Sequence, residues 1–118
     1  MRAFIAAPVL HVSSMEQSVA FYTEKLGFTE RFRYGGEYTV LEYAGEVQMH
    51  LSTTNNRTPA GNGQVYIICD TVDEYYAEIT DRGVVTLAAP ADWPYGMRDF
   101  ELADPDGNLL AFGAEIKE

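Results

Sequence analysis

The amino-acid sequence predicts an α+β protein of 118 residues built from two similar halves, and three observations predict it. First, two helix starts recur 57 residues apart. Ser14-Met15-Glu16-Gln17 and Thr71-Val72-Asp73-Glu74 each place a hydroxyl three residues before an amide or an acid. In such a capping box the two side chains satisfy backbone N–H groups that the first helical turn leaves free. Second, the helices end alike. At the same offset Thr23-Glu24-Lys25 meets Thr80-Asp81-Arg82, and a glycine follows each, Gly27 or Gly83, the residue a left-handed helix stop favours. Third, the segments around the helices alternate apolar and polar residues with the period of two that half-buried strands show.

In chain order, a strand over about 5–12 precedes the first helix. Strands at about 28–34, 38–43 and 46–52 follow it, separated by turns at Gly35-Gly36 and Ala44-Gly45. The second half repeats the plan with 64–69, the helix, then 84–88, 98–103 and 108–113. Asp104-Pro105-Asp106-Gly107 marks a tight turn, since proline presets φ and glycine takes the positive φ. The chain reads as one domain of 1–118, with a first module over about 1–53, a polar linker over 54–63 and a second module over about 64–118.

Composition narrows the function. A chain of this length builds one core and not two. Eighteen acids against eight bases give a net charge of −10. That argues against a nucleic-acid partner, whose phosphates need a basic surface. The same acidity suits a cationic ligand, because clefts gather field of one sign, and it equally serves solubility alone. The apolar stretch near the start is interrupted by Pro8 and too short for a bilayer, so neither a membrane span nor a signal peptide is expected. The single cysteine, Cys69, forms no intrachain disulfide and fits the reducing cytoplasm.

Alternation also sorts the faces. Val47, Met49 and Leu51 oppose Gln48, His50 and Ser52; Val65, Ile67 and Cys69 oppose Gln64, Tyr66 and Ile68; Phe100 and Leu102 oppose Asp99 and Glu101. The apolar faces belong beneath the helices. The mixed faces collect His11, Tyr38, Glu42, Gln48, His50, Gln64, Tyr66, Asp99 and Glu101. Such a surface, with apolar area and a few placed polar groups, is what a ligand site needs, and it is also what a sheet with one wet side presents. Trp93-Pro94-Tyr95-Gly96 adds a loop with two large aromatics. Cys69, on the helix side, reads as a small core residue.

Three stretches resemble the vicinal oxygen chelate superfamily of glyoxalases, bleomycin resistance proteins and extradiol dioxygenases. The first is Pro8-Val9-Leu10 with Ser18-Val19-Ala20-Phe21-Tyr22 and Lys25-Leu26-Gly27-Phe28. The second is Val47-Gln48-Met49-His50-Leu51. The third is Gly96-Met97-Arg98-Asp99-Phe100 with Asp104-Pro105-Asp106-Gly107-Asn108-Leu109-Leu110. The resemblance implies paired βαβββ modules forming a curled mixed sheet around a concave cleft, with the helices on the convex side. The superfamily's metal-ligand positions fall here on Ala7, His50, Gln64 and Ala111. Two alanines leave too few donors for a divalent ion, so neither a metal nor another cofactor is expected.

The resemblance then points to the metal-free bleomycin resistance branch: a homodimer holding a small molecule in clefts between subunits, with swapping of the first strand at Pro8 left open. On this reading the protein binds a cationic or planar aromatic ligand, an antibiotic by what the resemblance implies, and has no catalytic residue. Tyr38, Tyr66, Trp93 and Tyr95 stack, Glu42, Asp99 and Glu101 attract charge, and His50 and Gln64 hydrogen-bond. The alternatives are a metal-dependent lyase, isomerase or dioxygenase using His50 and Gln64, and a metal-independent enzyme using His50 as a base.

Overall fold

A computed structural model of the chain describes residues 1–54 and 57–117. Asn55 and Asn56 of the expected linker, and Glu118, lie outside the described residues. The strands are β1 (Val9–His11), β2 (Thr29–Tyr34), β3 (Tyr38–Tyr43), β4 (Val47–Ser52), β5 (Gln64–Ile68), β6 (Ala88–Asp92), β7 (Met97–Ala103) and β8 (Leu109–Glu115). The helices are α1 (Met15–Ala20), continued by a π-helical turn over Phe21–Lys25, and α2 (Val72–Asp81).

The strands form two four-stranded mixed sheets, β1-β4-β3-β2 and β5-β8-β7-β6, one from each of the expected βαβββ modules. Each has the same plan: its first strand runs parallel to its last, and the other pairs are antiparallel. The helices cover one face of both sheets. Met15, Val19, Tyr22, Leu41, Met49 and Leu51 of the first half and Val72, Tyr75, Ile79, Phe100, Leu110 and Phe112 of the second belong to one core, in which the Tyr75 ring packs on Phe100 and Phe112.

The two helix ends show why the repeat is one residue out of step. α2 stops in a Schellman arrangement, with Val84 N–H on Ile79 O at 3.1 Å, Gly83 N–H on Thr80 O at 3.0 Å and Gly83 at φ +93°. In the first half Leu26 N–H reaches Phe21 O at 3.2 Å, a π-type bond, and Phe28 N–H reaches Tyr22 O at 2.9 Å. The π turn takes up one extra residue before Gly27. The starts differ too. Ser14 Oγ accepts from Gln17 N–H at 3.2 Å, as a capping box requires. Thr71 makes no side-chain cap bond, so the second expected box is not formed.

Two expected strands moved. β1 covers only Val9–His11, and residues 1–8 are outside any strand. Pro8 O accepts from His50 N–H at 2.9 Å, but proline has no N–H to continue the ladder. The segment 84–88 is not a strand as a whole; pairing begins at Ala88. Val84 is buried against the core as the residue after the helix stop, and the chain then crosses to the sheet edge with Val85 exposed. Pro90 fits β6 because β6 is an edge strand and its register shifts between Ala88 and Ala91. In the β3–β4 turn both central residues, Ala44 (φ 55°) and Gly45 (φ 76°), take the positive φ that a type I′ hairpin demands.

The halves are tied in two places. On the helix side Lys25 Nζ donates to Arg82 O at 2.7 Å, and Arg82 Nη1 donates to Lys25 O at 3.0 Å. At the other tie the fully buried Asn108 donates to His11 O at 3.0 Å and to Asp104 Oδ2 at 2.9 Å, and accepts from Gly63 N–H at 2.8 Å. The buried Asp104 carboxylate also accepts from Tyr22 Oη at 2.9 Å. Next to it Ser13 Oγ donates to Asp106 at 2.6 Å.

Candidate functional site

The open faces, away from the helices, carry the mixed residues that alternation assigned to them. On the second sheet Asp99 of β7 pairs in register with Gly113 of β8, and Tyr66 of β5 lies one step along, opposite Ala111. The Tyr66 ring passes over Gly113, where any added Cβ would collide with its phenol. Its hydroxyl donates to Asp99 Oδ2 at 2.8 Å. Trp93 and Tyr95 come from the β6–β7 turn, closed by Gly96 N–H on Trp93 O and by Gly96 at φ +88°. Trp93 Nε1–H donates to Asp99 Oδ1 at 2.7 Å and Tyr95 Oη to Asp99 Oδ2 at 3.0 Å. The Trp93 and Tyr95 rings are parallel within 1°, with centroids 6.3 Å apart.

One carboxylate thus gathers three aromatic side chains, all of them exposed. Burial, and after it Asp99, raises the Tyr66 hydroxyl above its ordinary pKa, and the same causes act on Tyr95. Beside Tyr66 lies a cavity of about 290 Å³ lined by Gln64, Tyr66, Glu101, Leu109 and Ala111 among others. Glu101 is half-buried there, and its carboxylate carries no hydrogen-bond or ion-pair partner among the described residues.

The first sheet holds a second group. Tyr38 Oη lies 2.6 Å from His50 Nδ1, and His50 Nε2 lies 3.1 Å from Gln48 Oε1. An amide oxygen only accepts, so Nε2 carries the proton and Nδ1 takes the Tyr38 hydroxyl's. Burial lowers the His50 pKa, in keeping with this neutral ring. Glu42 is paired with Arg31 at 3.4 Å across the β2–β3 ladder. His11, on the same side of β1, is buried, and its Nε2 has no partner among the described residues.

The expected site is therefore divided within one chain. Tyr38, Glu42 and His50 lie on the first sheet; Gln64, Tyr66, Trp93, Tyr95, Asp99 and Glu101 lie on the second. Between the sheets a cavity of about 320 Å³ is lined by Gln48 and Tyr66. Two contributors escaped sequence reasoning. Gly113 signals itself only as a lone glycine within the apolar strand Leu109–Glu115. Arg31 faces Glu42 because the β2 register shifts between Glu30 and Phe32, which nothing in the alternation announces.

The superfamily's metal does not fit this donor set. Ala7 and Ala111 have no donor atom, and His50 is committed to Tyr38 and Gln48. Among the described residues no group of three or more His, Cys, Asp or Glu side chains converges. Among them, too, no helix is long and apolar enough to cross a membrane.

Comparison with known proteins gives a consistent result. The family model described as Glyoxalase/Bleomycin resistance protein/Dioxygenase superfamily matches residues 5–112. A bleomycin resistance protein of Geobacillus stearothermophilus is 31% identical, over 93% of this chain and 96% of its own. A bleomycin-binding protein from bleomycin-producing Streptomyces verticillus, solved with copper(II)-bleomycin, superposes with a TM-score of 0.79 at 26% identity over 100% of both chains. Lactoylglutathione lyase from Agrobacterium tumefaciens superposes with a TM-score of 0.76 over 96% of this chain and 95% of its own, and at 16% identity that likeness concerns the fold alone. Matching strand plan, paired modules and sequence together, the chain belongs to the glyoxalase/bleomycin resistance protein/dioxygenase superfamily.

Proposed function

We propose that the protein binds and sequesters a cationic or planar aromatic small molecule of the bleomycin type, without a metal of its own and without chemical turnover. The observation that carries this reading is the cluster of Tyr66, Trp93 and Tyr95 beside the unpartnered Glu101 carboxylate. Exposed aromatics of this size need a partner surface, and a carboxylate at their edge suits a cation. The bleomycin resistance relatives support the ligand class.

In this reading a second copy completes the cleft. The Tyr38–His50 group and the Tyr66–Trp93–Tyr95 group lie on different sheets, and β1 pairs with β4 only at His50–Ser52, leaving Val47–Met49 without a strand on that side. Phe4 and Ile5, in the segment before β1, are exposed. Light scattering at micromolar concentration is expected to give twice the 13.2 kDa of one chain, and the single-chain mass would overturn the shared cleft.

The ligand is tested by titrating metal-free and copper(II)-bleomycin while following Trp93, the one tryptophan of the chain. Tyr95→Ala is expected to weaken binding about tenfold, since stacking contributes ~0.5–1.5 kcal/mol beyond lost area. Glu101→Gln keeps the shape and is expected to flatten the salt dependence of binding. No binding by the wild-type protein would sink the bleomycin reading. A strong rise in melting temperature with Ni²⁺ or Zn²⁺ alone, lost in His50→Ala, would favour a metal-dependent lyase, isomerase or dioxygenase instead.

A further inference from the structure

We propose that Asp99 is a positioning residue that holds the aromatic platform in shape, and that Glu101, on the wall of the cavity beside it, supplies the charge a ligand meets there. The proposal rests on the binding reading above and divides the labour of two acids that lie two residues apart on the same face of β7.

The difference between them is in their partners. Asp99 is occupied on both oxygens: Trp93 Nε1 holds Oδ1, and the hydroxyls of Tyr66 and Tyr95 hold Oδ2. All three donors are neutral and all three belong to aromatic rings. They come from different places in the chain, one from β5 and two from the β6–β7 turn, so the carboxylate is the point where the turn is fastened to the sheet. Charge-assisted bonds of this kind are stronger than neutral ones, and they fix direction as well as distance. The parallel setting of the Trp93 and Tyr95 rings follows from both being drawn to one group. A ligand that approached Asp99 as an ion-pair partner would have to break these bonds. Glu101 has none to break. It lies on the wall of the 290 Å³ cavity with Gln64 and Tyr66. A platform ordered before the ligand arrives loses less conformational entropy on binding.

Two substitutions at Asp99 separate the roles. Asp99→Ala removes every acceptor. Asp99→Asn removes the charge, keeps Oδ1 for the Trp93 N–H, and offers an amide N–H₂ to the two phenol oxygens, which accept as well as donate. Three readouts apply to the wild type, both variants and Glu101→Gln. They are near-ultraviolet circular dichroism, acrylamide quenching of Trp93 in the free protein, and titration with metal-free bleomycin at low and high salt. The expected result is that Asp99→Ala loses the aromatic dichroism, exposes Trp93 to quencher and binds at least tenfold more weakly. Asp99→Asn restores all three to within about threefold of wild type with the salt dependence intact, while Glu101→Gln keeps the spectrum and flattens the salt dependence.

Two outcomes overturn the proposal. Asp99→Asn flattening the salt dependence as Glu101→Gln does would make Asp99 a charge contact. Unchanged dichroism and quenching in Asp99→Ala would show that the rings hold themselves. If the wild-type protein does not bind the probe, the binding reading fails, and the two spectroscopic measurements on the free protein still decide whether Asp99 orders the platform.

Discussion

Replacing Asn108 with alanine is expected to destabilise the protein by about 3 kcal/mol, because each buried polar group left without a partner costs roughly 1–3 kcal/mol. The Asn108 side chain is fully buried and makes three bonds, to Gly63 N–H, His11 O and Asp104. Its loss strands the Gly63 N–H outright and removes one donor from a buried carboxylate. His11 O keeps its bond from Gly61 N–H, which limits the damage. Ser13→Ala supplies the comparison. It removes the Ser13 hydroxyl from Asp106 at an exposed place and is expected to cost under about 1 kcal/mol. Urea unfolding measures both; equal midpoints for the two variants would mean that Asn108 does not hold the halves together.

Gly61→Ala is expected to cost a similar amount for a different reason. Gly61 sits at φ +88°, and an added Cβ would collide with the backbone carbonyl of Asp106. A left-handed backbone alone costs a side-chain-bearing residue about 1–2 kcal/mol, and the collision adds to it because a carbonyl in a tight turn cannot swing away. Gly35 isolates the first contribution. It has φ +53° and open space around it, so Gly35→Ala is expected to cost about 1 kcal/mol. A Gly61→Ala melting point no lower than that of Gly35→Ala would show that the linker can move off the turn freely.

How much of this was legible in the sequence depends on the range of each interaction. The β3 strand over Tyr38–Tyr43 matched its expected bounds because alternation and two flanking turns act within a few residues. The faces of Gln48, His50, Tyr66, Asp99 and Glu101 followed from the same period. β6 was misplaced because Val84, Val85 and Leu87 read as a strand, whereas Val84 packs as the residue after a helix stop. The first strand was overextended because the apolar residues before Pro8 carry strand propensity without a ladder to join. The site was legible as a list of residues and not as a geometry. Tyr66, Trp93 and Tyr95 meet at Asp99 only because Gly113 leaves room beneath the Tyr66 ring, a relation between three elements that no local pattern encodes.

The reciprocal bonds between Lys25 and Arg82 give the chain a local two-fold pseudo-symmetry. The two residues occupy equivalent positions in the repeat, and each gives its side chain to the other's carbonyl. Exchange of roles between equivalent residues is what a two-fold axis produces between two copies of one chain. Here the encounter is internal, so self-complementarity is not required of it: one half presents a lysine and the other an arginine, and among the described residues the ring of aromatics around an acid belongs to the second half.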